Sequence, residues 1–161
     1  MRLFNCGSAE GQLRLNIPAR MDCIGLLGTA VRAVSQQAGL SVEFSEQMEL
    51  AVIEAITNII RHGVPHQPDS KIDVHILAFE RALEYHIYDQ GQPIPAALLE
   101  TPDHDVFDYD DLLLNELPEG GLGMALIRSI ADDMDYQSTS CGNQLILRRY
   151  RQRPDDLAAP Y

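Results

Sequence analysis

Apolar and polar residues alternate over 12–17, the pattern of a β-strand with one buried face, and Pro18 ends that pattern. Over 22–38 the apolar residues recur at helical spacing instead, which predicts an amphipathic helix. Gly39 follows where a helix cap is expected. The chain is therefore predicted to open with a strand and then a helix.

A second helix is predicted to begin after Ser45, a residue type that favours the N-cap position, and to run to His62. Gly63 and Pro65 then stop it. Two alternating strands follow around a turn at 80–81. Their predicted buried residues form two sets, which are Ile72, Val74 and Ile76, and Leu83, Tyr85 and Ile87.

Residues 90–119 carry four prolines and no helical or strand periodicity, so an irregular segment is predicted there. A third helix over 123–132 and two strands over 134–140 and 144–150 complete the pattern. Residues 151–161 contain two prolines and are predicted to fray.

This order of elements predicts the fold. Neighbouring strands joined by short turns favour an antiparallel or mixed sheet, because parallel strands need a crossover between them. We therefore expect an α/β two-layer sandwich with a mixed, mostly antiparallel sheet and helices on one face. With 161 residues the chain is long enough for one domain, expected over 1–150, followed by a C-terminal tail.

The net charge of the chain limits the classes of partner that are expected. The 24 acidic residues outnumber the 12 lysines and arginines, which gives a formal net charge of −12. Such a chain is repelled by nucleic-acid phosphates and anionic lipid, so neither is expected as a partner. Its apolar runs fall short of the roughly 20 residues of a membrane helix, and its N-terminus lacks the apolar segment of a signal peptide.

The cysteines indicate the compartment. Cys6, Cys23 and Cys141 are odd in number, far apart and without a C-x-x-C spacing. A disulfide framework and a zinc site are both disfavoured, and a reducing cytoplasm is the expected location.

Glu54 and Asn58 lie four residues apart on the second predicted helix and share one face, which Arg61 and His62 extend by a turn. The side-chain oxygen of Asn suits Mg²⁺, and a Glu one turn away can accept a proton from a hydroxyl or a water. The same pattern also fits a solvated polar stripe on an amphipathic helix.

Asp89 and Gly91 follow directly on the second strand of the predicted hairpin. A carboxylate at a strand end can accept a hydrogen bond from an exocyclic amine such as that of adenine, and a glycine lets a flat ring approach the backbone. Asp, Gly and Pro are also common turn residues, so a plain turn is the alternative.

Glycines at 120, 121 and 123 open the third predicted helix. Glycines at a helix N-terminus leave backbone N–H groups accessible at the positive end of the helix dipole, an arrangement that cradles phosphate. A flexible hinge before the helix is the alternative.

Taken together and in this order, the three segments resemble the N, G1 and G2 boxes of the GHKL superfamily of histidine-kinase-like ATPases. Within it the chain is similar to the bacterial anti-sigma-factor serine/threonine protein kinases of the RsbW and SpoIIAB type. Residues 54–58 followed by His62 and Gly63 match the helix of that subfamily, and 142–147 match its closing hairpin. The resemblance covers 12–150 and implies a Bergerat-type ATP-binding fold.

The resemblance also implies roles for single residues. Glu54 would be the catalytic general base that activates a Ser or Thr hydroxyl of a partner protein, and Asn58 would ligate Mg²⁺. Asp89 would bind the adenine amine. The other implied ATP contacts are Gly91 beside the ring, Arg61 at the phosphates, and Gly120, Gly121, Leu122, Gly123 and Met124 in the glycine-rich segment.

The chain departs from the family pattern at three places. Pro93 replaces the second glycine of the G1 box, as is familiar in the anti-sigma subfamily, and Asn143 stands where several relatives carry Thr. The implied ATP lid, 100–119, holds eight acidic residues and no Lys or Arg, and it is expected to be mobile without nucleotide. Such a lid repels a triphosphate unless Mg²⁺ or a basic partner offsets its charge. A plain solvated loop is the alternative.

The resemblance implies a kinase that uses ATP and Mg²⁺ to phosphorylate a STAS-type antagonist and that sequesters a sigma factor or an equivalent regulator. Relatives often dimerise, and the apolar N-terminal segment is a candidate homodimer contact. Two other functions stay open: a non-catalytic module that holds ATP and captures partners, and an ATPase that hydrolyses ATP without phosphorylating protein.

Overall fold

The computed structural model describes residues 9–99 and 121–151. Within them the strands are β1 (Gly11–Pro18), β2 (Lys71–Ala78), β3 (Ala82–Asp89), β4 (Asp133–Thr139) and β5 (Gly142–Tyr150). The α-helices are α1 (Ile24–Gln37), α2 (Val42–Asn58), α3 (Ala96–Leu99) and α4 (Gly121–Ile130). A 3₁₀ turn, Met21–Cys23, precedes α1, and a π-helical turn, Ile59–Gly63, follows α2. The expectations for the acidic segment 100–119 and for the tail beyond residue 151 lie outside the described residues.

The strands form one sheet in the order β1-β2-β3-β5-β4. The predicted α/β sandwich is confirmed. The sheet, which was expected to be mixed and mostly antiparallel, is antiparallel at all four pairings. Two of these pairings, β2 with β3 and β4 with β5, are hairpins, whose strands run antiparallel by construction.

One face of the sheet carries the core, and α1, α2 and α4 pack against it. Both predicted sets of inward residues on β2 and β3 are buried there. Leu27 and Val31 of α1, Met48 and Ile56 of α2, and Ile127 of α4 fill the layer above them. None of the helices in the described part of the chain combines the length and the apolar composition that crossing a membrane requires.

The predicted start of the second helix is wrong. Helix α2 begins at Val42, and Ser41 is its N-cap, with the side-chain oxygen accepting a hydrogen bond from the N–H of Phe44 at 3.1 Å. Ser45 lies buried inside the helix and donates to the carbonyl oxygen of Ser41 at 2.7 Å. The earlier start places the Phe44 ring under the guanidinium of Arg149, 3.8 Å from the ring centroid. This long-range contact is not visible in local spacing.

Other elements also differ from the prediction. Helix α4 begins at Gly121 and ends at Ile130, about half a turn earlier at each end than 123–132. The single-turn helix α3 lies within the segment that was predicted to be irregular. Leu98 of α3 and Met124 of α4 both line a cavity at the end of β3.

Candidate functional site

The C-terminal end of α2 widens into a π-helical turn. The N–H of Val64 donates to the carbonyl oxygen of Ile59 at 2.9 Å, a hydrogen bond across five residues. Wide turns of this kind are frequent at functional sites. Arg61 and His62 stand on this turn, and both line a cavity.

The cavity encloses about 380 Å³ between the end of α2, the end of β3 and the start of α4. Ile59, Ile94 and Leu145 contribute apolar walls. The predicted site residues on its lining are Asn58, Arg61, Asp89 and Met124. A mainly apolar cavity of this size with a few polar groups is typical of a small-molecule site.

One oxygen of Asp89 is fixed by two hydrogen bonds. Oδ1 accepts from the N–H of Gly91 at 2.7 Å and from Nδ2 of Asn143 at 2.9 Å. Nδ2 of Asn143, which is buried, also donates to the carbonyl oxygen of Gly91 at 3.0 Å. Within residues 9–99 and 121–151, Oδ2 of Asp89 makes no hydrogen bond. The carboxylate is thus held in one orientation, with an oxygen left to accept from a ligand.

Two close backbone approaches require glycine at this end of the cavity. A Cβ atom on Gly91 would stand 2.5 Å from the carbonyl oxygen of Gly63, which already accepts from the N–H of Gln92 at 2.8 Å. Gly142 has a φ of +132°, and its Cβ would stand 2.5 Å from the carbonyl oxygen of Asp89. The end of β3 is therefore held between the π-helical turn and the β4–β5 hairpin.

Tyr136 of β4 completes the wall beside Asp89. Its hydroxyl accepts from the N–H of Ile94 at 2.9 Å, which fixes the segment after β3 over the cavity. Burial raises the pKa of Tyr136 above its ordinary value.

The catalytic candidate Glu54 lies outside the cavity wall, one turn before Asn58 on α2. Its side chain reaches the first turn of α4, where a Cβ atom built on Gly123 would stand 2.9 Å from its Cδ and 3.1 Å from its Cγ. The general-base candidate and the glycine-rich helix start are thus neighbours. Leu122 is half-exposed, Gly121 is the first residue of α4, and Gly120 lies outside the described residues.

The donor groups of the site fit an adenine nucleotide with Mg²⁺. Asp89 offers one fixed acceptor at the apolar end, and the first turn of α4 provides N–H groups that have no partner within the helix and can face an anion. In the part of the chain that the structure describes, no three His, Cys, Asp or Glu side chains form a metal cage. Mg²⁺ at nucleotide sites needs few protein ligands, because water and phosphate oxygens supply the rest, and Asn58 on the cavity wall suits that role.

A model of the histidine kinase-like ATPase domain family matches residues 17–149. The chain belongs to this family. The predicted superfamily is thereby confirmed, and the geometry described above is that of a histidine kinase-like ATPase domain.

Relatives with known names indicate which subfamily this chain is similar to. The serine-protein kinase RsbW of Listeria monocytogenes serovar 1/2a is 32% identical over 126 residues, which cover 76% of this chain and 77% of that protein. The RsbW of Bacillus velezensis is 28% identical over 134 residues, covering 80% of this chain and 79% of that protein. These relatives confirm the predicted resemblance to RsbW, and their names agree with the predicted enzyme class.

A solved structure supports the fold. The RsbU and RsbW domains of a Mycobacterium tuberculosis protein superpose with a TM-score of 0.57 at 12% identity. The match covers 87% of this chain and 32% of the other, so this chain spans about a third of that protein.

Three residues of this histidine kinase-like ATPase domain were missed as site residues. Gly63 was interpreted as a helix stop and as part of the subfamily's helix pattern, Tyr136 fell within a predicted strand, and Asn143 was a departure in the closing hairpin. The sequence signals were at Gly63, which is similar to the subfamily's helix pattern, and at Asn143, which stands where several relatives carry Thr. The contact between Asn143 and Asp89 joins residues 54 positions apart, which local spacing does not show.

Proposed function

We propose that this histidine kinase-like ATPase domain is a serine/threonine protein kinase that uses Mg·ATP to phosphorylate a STAS-type anti-sigma-factor antagonist. The proposal includes sequestration of a sigma factor or an equivalent regulator, a cytoplasmic location and a homodimeric state. The observation that carries it is the contact of Glu54 with the first turn of α4, one helical turn from Asn58 on the cavity wall. The RsbW relatives, which are named serine-protein kinases, support it.

Each end of the site has its own task in this proposal. Oδ2 of Asp89 accepts a hydrogen bond from the adenine amine, and guanine is disfavoured because it presents a carbonyl oxygen at that position. The first turn of α4 and Arg61 bind the phosphates. Asn58 holds Mg²⁺, which supplies neutralisation of phosphate charge when bound.

Glu54 performs the proton transfer. Its carboxylate accepts the proton of the attacking Ser or Thr hydroxyl, whose oxygen forms the new bond to the γ-phosphorus. The bond from that phosphorus to the bridging oxygen breaks, and ADP leaves. Phosphoryl transfer needs little from a protein beyond positioning and charge stabilisation. Glu54 lies beside the start of α4, and the metal ligand Asn58 lies one turn away from Glu54 on α2. This arrangement meets that need.

Separate substitutions of Glu54 and Asn58 test the proposal, because they are expected to affect different steps. Glu54→Gln is expected to keep Mg·ATP affinity in calorimetry and to lower transfer of labelled phosphate to purified STAS-domain proteins roughly 10²–10⁴-fold. Asn58→Ala is expected to weaken Mg·ATP binding itself, because it removes a metal ligand. Glu46→Gln, the same chemical change at an exposed position of α2, is the control and should behave as wild type. Phosphorylation at the normal rate by Glu54→Gln would remove Glu54 as the base and favour a non-catalytic binding module.

A further inference from the structure

Gly123 lies in the first turn of α4 and leaves a gap that the side chain of Glu54 fills. A Cβ atom built on Gly123 would stand 2.9 Å from Cδ and 3.1 Å from Cγ of Glu54, and nearer still to Oε1. These distances are shorter than the optimal separation of non-bonded atoms. The lack of a side chain at position 123 therefore determines where the carboxylate of Glu54 lies.

This gap differs from the other close approaches at the site. A methyl group on Gly91 would meet the backbone of Gly63 at 2.5 Å, and one on Gly142 would meet the backbone of Asp89 at 2.5 Å. The backbone at these two contacts cannot shift without a change in the fold. A methyl group on Gly123 would meet the end of a flexible side chain, so it would displace the carboxylate and leave the backbone in place.

The helix itself accepts an alanine at this position. Among the described glycines, those with positive φ are Gly39 and Gly142, so the backbone of Gly123 is one that any residue adopts. Alanine has a higher helix propensity than glycine. The fold of α4 gives no reason for glycine at 123, whereas the space needed by Glu54 does.

We propose that Gly123 is a positioning residue for the general base, and that its role is to let the Glu54 carboxylate lie against α4. This rests on the proposed function, in which Glu54 accepts the hydroxyl proton. A general base works only within hydrogen-bond reach of its proton, and a misplacement of about 1 Å costs on the order of 10²-fold in rate. The family resemblance implies a phosphate contact for Gly123 instead. A positioning role predicts a lower rate of phosphate transfer, whereas a phosphate contact predicts weaker Mg·ATP binding.

The test compares Gly123→Ala with Gly25→Ala, which adds the same methyl group to α1 where no atom lies within 4 Å. Gly123→Ala is expected to unfold at or above the wild-type temperature and to bind Mg·ATP within about threefold of wild type. Its transfer of phosphate to a protein substrate is expected to fall roughly 10²-fold. Gly25→Ala is expected to match wild type in nucleotide affinity and transfer rate.

A second measurement needs neither nucleotide nor activity. Carboxyl-carbon NMR of the nucleotide-free protein follows the Glu54 side chain, whose signal is assigned by its loss in Glu54→Gln. We expect Gly123→Ala to shift this signal and Gly25→Ala to leave it in place. The rate loss from Gly123→Ala should also be smaller in a Glu54→Asp background, because the shorter side chain leaves room for the methyl group.

Weaker Mg·ATP binding by Gly123→Ala with an unmoved Glu54 signal would show that Gly123 contacts phosphate, and the proposal would be wrong. Failure of Gly123→Ala to fold would also contradict it, because the methyl group would then displace more than a side chain. If the wild-type chain phosphorylates no protein, the proposed function fails. The NMR signal still decides in that case whether Gly123 positions Glu54.

Discussion

At the scale of single residues, the site depends on how Asp89 is held. The N–H of Gly91 and the amide of Asn143 both bind the same carboxylate oxygen, so the other oxygen faces a ligand without a competing partner among the described residues. A half-buried acceptor held in a fixed direction can discriminate an amine from a carbonyl oxygen.

Replacing the carboxylate tests this directly. Asp89→Asn is expected to lower ATP affinity by roughly 1–3 kcal/mol, because the amide nitrogen takes the place of Oδ2 and the exocyclic amine loses its acceptor. It should also narrow the preference for ATP over GTP, since the new amide can donate to the guanine carbonyl. Calorimetry with both nucleotides measures each effect, and Asp135→Asn on β4 is the control. Equal affinity of the wild-type chain for ATP and GTP would contradict the assignment of Asp89 as the acceptor for the adenine amine.

Asn143 carries the second residue-scale prediction. Asn143→Ala removes one of two hydrogen bonds to Oδ1 of Asp89, and we expect ATP affinity to fall about tenfold, the order of one buried hydrogen bond. Asn143→Asp should cost more, because it places a second carboxylate beside the first. Gln137→Ala, at an exposed position of the neighbouring strand, should leave affinity unchanged. Wild-type ATP affinity in a folded Asn143→Ala protein would show that Asp89 does not need this support.

Most strands and helices were predictable from the sequence, because the buried residues of each one recur at a regular local spacing. Alternation marked β2 and β3 correctly, since every second residue of each faces the helices. The start of α2 was not predictable in the same way, because Ser41 and Ser45 are equally good caps and the packing of Phe44 on Arg149 decides between them.

The site was predictable only in part, for a related physical reason. The family resemblance pointed to Asp89 and Asn58, and both line one cavity. The contacts that shape the cavity join distant segments, as the backbone approach of Gly91 to Gly63 shows. Such contacts follow from the tertiary fold and leave no periodicity in the sequence.

The pairing of β3 with β5 includes a buried ion pair. Glu84 and Arg148 are opposite each other in the register of these strands, and Glu84 accepts hydrogen bonds from Arg148 and His86. Burial alone would raise the pKa of Glu84, but these hydrogen bonds outweigh it and hold the pKa below the ordinary value of 4.5. The ionised carboxylate therefore stabilises the folded state above pH 4.5, and this stabilisation is lost as the pH falls through the lowered pKa.

Glu84→Gln is expected to lower the free energy of unfolding at pH 7 by about 1–3 kcal/mol, the order of hydrogen bonds to a charged group. The difference from wild type should shrink as the pH falls below 4.5, because the wild-type carboxylate then becomes protonated. Urea unfolding across this pH range measures both, with Glu80→Gln in the exposed β2–β3 turn as the control. A difference that does not change with pH would mean that charge is not the source of the stabilisation.

At the scale of the whole molecule, the cavity exists only when the sheet and the helices are assembled. Its walls come from α2, the end of β3, β5 and the start of α4, so no single element forms it. The formal net charge of −12 opposes the approach of a triphosphate. Binding is therefore expected to depend on Mg²⁺ and on the local cations and N–H groups of the site.

Protein kinase activity of this chain is tested by following the γ-phosphate of ATP. The wild-type chain is incubated with γ-labelled ATP, Mg²⁺ and purified STAS-domain proteins, and protein-bound label is separated from free phosphate. We predict label on a Ser or Thr of a STAS-domain protein, and loss of the label when Mg²⁺ is chelated. Label found only as free phosphate, or ATP bound without any turnover, would contradict the account.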